Sequence, residues 1–460
     1  MKNKTILSLD ECIEAAGGTK ALVVEANAYK NIGDLLQKYF NSNSVFIIAD
    51  ENTMQAAGND FEKTLLAEGV TIAGKYVFPG EPRLHSEFCY IETLVREISE
   101  KAVTSPQVLV PTAVGSGTIN DLVKQAAEDV SLPYLCIPTA ASVDGYTSFG
   151  SAILKDGFKQ TLSCAAPRVI VADTGVMANA PSWLSSSGFA DLAGKIIAGA
   201  DWIISDTASA FEAKGADTIE PKAWEMVQNG LYDYLDKSVS ATQGDQNALK
   251  ALFEALSITG FSMQYLKDSR PVSGAEHLFA HIWEMEDLCI NGNPVTHGHK
   301  VAMGSLACAA FLEVLFADPD APPPPPSSWR RPTINERISE VKQAFNNHPA
   351  LESTVVTAID KFPGDAILDK TAAGIRDVWK ELRDKVLEQV IPYSDMKAMF
   401  TKAQCPVLPA EVNLSRNALI ATARRAQMIR KRYNELDLAW DLGCMETVLS
   451  KIEASEKYLY

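Results

Sequence analysis

Between residues 43 and 173, short β-branched and aliphatic runs alternate with polar, glycine-bearing turns and stretches of helical length. The runs are SVFIIAD (44–50), TIAGKYVF (71–78), QVLVPTAVG (107–115), PYLCIPT (133–139) and RVIVAD (168–173). Several lack polar alternation, which predicts strands buried on both faces. FEKTLLAEG (61–69) and HSEFCYIETLVREISEK (85–101) fit helices between them. This succession predicts an α/β domain built on a mostly parallel sheet.

After about Pro181 the pattern changes to long helical periods punctuated by Gly or Pro. Examples are GFADLAGKIIAGADWIISD (188–206), NALKALFEALSITGFSMQYL (247–266), GAEHLFAHIWEMEDLCI (274–290) and RNALIATARRAQMIRKRYNELDLAWDLG (416–443). The expected division is an α/β domain over 1–178 and an all-α domain over 179–460. A Pro-rich loop at 317–332 interrupts the second, because five consecutive prolines cannot be helical. An exposed extended loop is the simplest account of it. No internal repeat is visible.

Composition narrows the classes of function. The 460 residues are 47% hydrophobic and 22% charged, as in an ordinary globular chain. A net charge of −16 repels phosphate backbones and anionic lipid, so neither nucleic-acid binding nor membrane-surface binding is expected. The opening residues lack the apolar core of a signal peptide, and no run of about 20 apolar residues occurs, so membrane insertion is not expected either. Eight cysteines without a C-x-x-C pair point to a reducing cytoplasm rather than a disulfide framework.

Two segments suit a nucleotide. VLVPTAVGSGTINDLVKQAA reads as strand, glycine turn and helix. There Gly115 and Gly117 let a phosphate approach the backbone, Ser116 and Thr118 add hydroxyls, and the helix start offers free N–H groups. It is neither G-x-G-x-x-G, since the sixth position is Asn120, nor a Walker loop. Asp50 closes an earlier strand, where a carboxylate can bind a ribose diol or cap the next helix. The acid precedes the glycines, unlike the usual Rossmann order. A third segment, PTAASVDGYTSFGSAI, gathers Thr139, Ser142, Asp144, Thr147 and Ser148 after the next strand, where doubly wound sheets bind ligands.

Histidine is sparse and clustered. Of six in the chain, His277, His281, His297 and His299 fall within residues 277–299. His277 and His281 stand at i and i+4, and His297 and His299 open the next apolar helix. Such a group suits a metal or proton-transfer site, and spacing alone pairs His277 with His281. Asp191, expected at the start of a helix, can equally be a first-turn carboxylate that favours the helix dipole.

Read in order, VGSGTINDLVK, PTAASVDGYTS, GFADLAGK with ADW soon after, SRPVSGAEHLFAH, HGHKVAMG and IRKRYNELDLAWDLG resemble one superfamily. It joins sn-glycerol-1-phosphate dehydrogenase, glycerol dehydrogenase, the iron-containing alcohol dehydrogenases and dehydroquinate synthase. The likeness is greatest to the glycerol-1-phosphate dehydrogenase family and runs from about residue 45 to 445. It implies a dehydroquinate synthase-like architecture, an α/β dinucleotide-binding domain followed by an all-helical metal- and substrate-binding domain. It also implies a divalent metal on Asp191, His277 and His297, in place of the pairing that spacing suggested. His281 would then face the substrate as proton donor. Nucleotide contacts are implied from Gly117, Thr118, Asp121, Thr139, Ser142 and Ser148, with Asp144 near the substrate or nicotinamide.

Lys195 stands where the iron-type alcohol dehydrogenases carry a further His, which implies three protein ligands. Lys195, Arg270 and Lys300 lie inside the site motifs, and Lys195 is the preferred contact for a substrate phosphate. Dehydroquinate synthases have Glu where this chain has Asp191, which counts against that branch. Two departures are the Pro-rich insertion and Ala190, where Gly is expected.

The expected activity is NAD(P)-dependent interconversion of dihydroxyacetone phosphate and sn-glycerol 1-phosphate. The alternatives are a glycerol or small-polyol dehydrogenase and a dehydroquinate synthase-like cyclase or lyase. Asp50 favours NAD over NADP, because a carboxylate repels a 2′-phosphate. Zinc is the first choice of metal, with nickel or iron as alternatives. A small phosphorylated substrate and a homo-oligomer are the expected partners.

Overall fold

The computed structural model describes residues 6–155 and 158–458. It contains two compact units, Met1–Leu192 with Glu225–Ser269, and Ala193–Trp224 with Arg270–Tyr460.

The first unit is built on a six-stranded sheet: β1 (Ala21–Glu25), β2 (Ser44–Asp50), β3 (Thr71–Phe78), β4 (Val110–Gly115), β5 (Leu135–Pro138) and β8 (Val169–Asp173), in the order β1-β8-β5-β4-β2-β3. Every pairing in it is parallel. Between β5 and β8 the chain makes an antiparallel hairpin of β6 (Ser151–Lys155) and β7 (Phe158–Leu162). β2 and β4 are buried nearly end to end, as their unbroken apolar runs require. Ile47 in β2 and Val114 in β4 are fully buried, each worth about 1.5–3 kcal/mol of transfer free energy. β1 has no place among the sequence expectations, because ALVVE is a half-buried edge strand with no long apolar run to announce it.

The sheet order decides where a ligand can bind. The chain leaves β2 toward β3 on one side and leaves β4 toward β5 on the other. The C-terminal ends of adjacent β2 and β4 therefore flank a point where the winding reverses, and open sheets bind ligands there. Asp50 ends β2 and Gly115 ends β4.

The second unit is largely helical. Its exception is a short hairpin, β9 (Cys289–Ile290) with β10 (Asn293–Pro294), which joins the Ala275–Met285 helix to the His297–Leu315 helix. The latter is long and apolar enough to cross a membrane, but it is mostly buried inside the protein. The 28-residue helix Ser182–Ser209 contains the division between the units. The segment read as one helical pattern over 416–443 is two helices, Arg416–Ala426 and Glu435–Asp441. Asn434 sets the second start: its side chain caps Leu436 and Asp437, a local hydrogen-bonding option that helix periodicity does not reveal.

Pro322–Pro326 adopts no regular structure. The loop is pinned at both ends and within the proline run. Trp379 Nε1 donates to Asp318 O (3.1 Å), Thr447 Oγ1 donates to Pro324 O (2.8 Å), and Arg331 reaches Asp365 and Asp369.

Candidate metal and dinucleotide site

The glycine turn lies where the sheet order needs it. β4 ends at Gly115, and the Gly117–Asp129 helix begins one residue after Ser116, whose side chain makes no capping hydrogen bond. A Cβ on Gly115 would lie 2.6 Å from Ile119 Cβ, and one on Gly117 would lie 3.1 Å from Val143 Cγ2. The close turn from strand into helix therefore requires Gly115. Asp50 caps the short helix after β2, Oδ1 accepting from Thr53 N at 2.8 Å. The capping role weighed for it is thus filled. Asp121 stands 3.9 Å from Lys124 Nζ.

Lys124, which sequence reasoning passed over, organises the polar loop after β5. Its fully buried ammonium donates to Gly145 O (2.8 Å), Ser148 O (3.1 Å) and Gly150 O (3.1 Å). Thr139, Ser142 and Ser148 are all buried, and Ser142 Oγ lies 3.4 Å from Tyr146 Oη. Asp144 N donates to Asp191 Oδ2 at 3.0 Å.

Asp191 is not at a helix start. It lies well inside the Ser182–Ser209 helix and is fully buried, so the first-turn dipole reading fails. Two glycines let neighbouring helices close in around this stretch. A Cβ on Gly194 would come within 2.7 Å of Val301 Cγ1, and Gly304 sits against the backbone of Glu276.

Asp191, His277 and His297 each offer one ligand atom, and these three atoms lie within 4.8 Å of one another. They form the one such group of three or more His, Cys, Asp or Glu residues among the described residues. One carboxylate and two imidazoles make a donor set suited to zinc, nickel or iron. His277 Nδ1 lies 2.6 Å from Glu276 Oε1, and His297 Nδ1 lies 2.7 Å from Glu284 Oε1, so Nε2 of each ring is the nitrogen left for a metal. The residues fit the group.

His281 joins this cluster and His299 does not. The rings of His277, His281 and His297 have centroids 5.3–6.3 Å apart. His281 Nδ1 is 3.1 Å from Glu284 Oε2, and its side chain is 27% exposed. Burial pulls its pKa down to about 3, against the pull of Glu284 in the other direction. His299 is also pulled down, to about 4, by burial. Lys195 is fully buried. Arg270 is committed to the 205–217 segment through Ser205 Oγ (3.0 Å), Gly215 O (2.9 Å) and Asp217 (2.9 Å).

Behind His277 lies a set of buried acids. Asp201 accepts from Ala275 N (2.6 Å) and Glu435 N (2.7 Å). Burial, reinforced by Glu276, raises its pKa to about 8, and burial with Asp201 raises Glu435 well above the usual range.

Glu276 and Glu284 also escaped sequence reasoning. The signal was available: Glu284 stands three residues after His281 and seven after His277, extending the same helix face by one turn.

Comparison with known proteins places the chain. The profile of the iron-containing alcohol dehydrogenases matches residues 23–181. A glycerol-1-phosphate dehydrogenase [NAD(P)+] of Bacillus velezensis is 35% identical over 292 residues, covering 64% of this chain and 70% of that protein. A Bacillus subtilis protein of the same name is 31% identical over 318 residues, covering 67% and 76%. Among solved structures, a glycerol dehydrogenase from Schizosaccharomyces pombe superposes with a TM-score of 0.56 over 96% of this chain and 94% of its own. At 18% identity, that likeness speaks to the fold.

Proposed function

The chain belongs to the glycerol-1-phosphate dehydrogenase family, an oxidoreductase family, and on that premise we propose that it interconverts dihydroxyacetone phosphate and sn-glycerol 1-phosphate with NAD(H) or NADP(H). The observation that carries the reading is the grouping of Asp191, His277 and His297 within 4.8 Å in a chain with these relatives.

Asp191, His277 and His297 hold a divalent cation, zinc before nickel or iron. When bound, the cation supplies Lewis acidity at the carbonyl oxygen and the nicotinamide supplies hydride. Gly115, Ser116, Gly117 and Thr118 offer backbone N–H groups and hydroxyls to the pyrophosphate. Asp121, Thr139, Ser142 and Ser148 line the remainder of the dinucleotide. Asp50 uses the carboxylate oxygen opposite its cap for ribose, which favours NAD. Asp144, whose N–H is held by Asp191, stands at the substrate or nicotinamide.

His281 moves the proton. Burial keeps its ring neutral at physiological pH. The negative charge of a bound dianionic phosphate ester would raise its pKa, so that it can take the substrate hydroxyl proton in the oxidation direction and return it to the product oxygen in the reduction. Lys195, one helical turn beyond Asp191, is the assigned phosphate contact. The eight free cysteines support a reducing, cytoplasmic setting.

The test is loss of NADH absorbance with dihydroxyacetone phosphate against dihydroxyacetone. Oxidation of NADH with the phosphorylated ketone and little with the free one supports the reading. Equal rates would make the protein a polyol dehydrogenase, and no net loss of NADH would favour a cyclase or lyase. In the same assay Lys195→Ala should raise the KM for dihydroxyacetone phosphate, and an unchanged KM removes that assignment.

A further inference from the structure

Three imidazoles stand together in the second unit, with two glutamates facing them. Glu276 Oε1 faces His277 Nδ1 and also accepts from Gly274 N (2.9 Å). Glu284, with a side chain only 7% exposed, serves two rings with its two oxygens: Oε1 lies 2.7 Å from His297 Nδ1 and Oε2 lies 3.1 Å from His281 Nδ1. His281 and Glu284 are three residues apart on one helix, and His297 returns to the same carboxylate across the β9–β10 hairpin.

An ionised carboxylate only accepts hydrogen bonds. Each ring facing it must therefore carry its proton on Nδ1, which fixes both tautomers and leaves both Nε2 atoms as the working nitrogens. One of those rings is an assigned metal ligand and the other is the assigned proton carrier. From this geometry we infer that Glu284 is a positioning residue that sets the metal ligand His297 and the proton-transfer residue His281 at once. The inference rests on the ligand and acid–base assignments under Proposed function.

Replacing Glu284 with Gln has a specific consequence. An amide has one acceptor oxygen and one donor NH2, so it can accept from one ring but must donate to the other. The second ring is then driven to the opposite tautomer, with hydrogen on Nε2. The ring facing the amide oxygen keeps its tautomer but loses the charge-assisted hydrogen bond, so the metal ligand His297 and the proton carrier His281 are both weakened, whichever of them faces the NH2.

The experiment uses full-length protein stripped of metal and titrated with Co²⁺, read by its visible absorption, alongside steady-state kinetics at saturating metal. Glu284→Gln is expected to weaken Co²⁺ binding by about 10–100-fold and to alter the absorption bands. At saturating metal it should keep a kcat deficit on the order of 10²-fold with little change in KM. In a His281→Ala background the kcat deficit of Glu284→Gln should vanish, since its target is gone, while the Co²⁺ deficit persists through His297.

Wild-type Co²⁺ affinity and spectrum in Glu284→Gln would overturn the inference, as would kcat effects that simply multiply in the double variant. If Glu284→Gln fails to fold by circular dichroism, Glu284→Asp supplies the measurement. Its shorter stem keeps the charge but cannot reach both rings, so a smaller loss of Co²⁺ affinity is expected and wild-type affinity again overturns the inference. A wild-type protein that binds no Co²⁺ or Zn²⁺ defeats the proposed function itself. A wild-type protein that binds, beside an equally competent Glu284→Gln, defeats only this inference.

Discussion

The glycine turn after β4 and the histidine cluster are built by opposite means. At the turn the backbone is what is presented, and residues matter for what they omit: Gly115 has no Cβ to meet Ile119, and the Ser116 side chain makes no cap bond. In the cluster the side chains carry everything, and each imidazole depends on a carboxylate behind it. The first region should tolerate loss of side-chain atoms and resent their gain. The second should show the reverse.

The largest expected effect is in the second region. His297→Ala should remain folded and lose at least ~10³-fold in kcat/KM, because several kcal/mol of charge stabilisation goes with the metal. Steady-state kinetics with a melting curve check it, and retention of activity within tenfold would break the contrast.

Next comes an added atom in the first region. Gly115→Ala puts a Cβ 2.6 Å from Ile119 Cβ, and such overpacking costs about 1–3 kcal/mol. A lower melting temperature and a raised KM for NADH are expected. Wild-type values for both would show that the turn has room to spare.

A smaller effect separates the paired glutamates of the cluster from the acids behind them. Asp201 and Glu435 hold protons that the unfolded chain releases above about pH 4. The native state therefore binds more protons, and stability falls as pH rises from there toward about 8, where Asp201 titrates. Glu435→Gln, a neutral isostere, should flatten that fall by a few degrees in Tm, being no less stable than wild type at alkaline pH. A parallel decline in both proteins would mean that Glu435 is ionised in the native state.

The smallest effect is expected at Ser116. Losing a helix N-cap usually costs about 1 kcal/mol. Since Ser116 makes no such bond, Ser116→Ala should change stability by less than about 0.5 kcal/mol and the KM for NADH by less than about threefold. A full capping loss on thermal denaturation would contradict the reading of that helix start.

The same contrast explains what the sequence disclosed. β2, β4, β5 and β8 were legible because strands buried on both faces need unbroken apolar runs, and β1 was not, because an edge strand does not. The clustering of histidines was visible, but spacing paired His277 with His281, and only the family resemblance brought in Asp191. Periodicity placed Asp191 at a helix start because it could not register that the Ser182–Ser209 helix begins earlier. Lys124, Glu276 and Glu284 were missed for a common reason: a charged residue on a helix reads as solvated surface until its buried partners are known. Glu284 alone could have been found, by following the His277–His281 face one turn further.

A metal-dependent reductase is tested by titrating metal-free protein with Zn²⁺ while following NADH oxidation by dihydroxyacetone phosphate. Negligible turnover is expected at the start, rising in proportion to bound ion and reaching a plateau at one ion per chain. Full turnover in the metal-free protein, unchanged as Zn²⁺ is added, would contradict it.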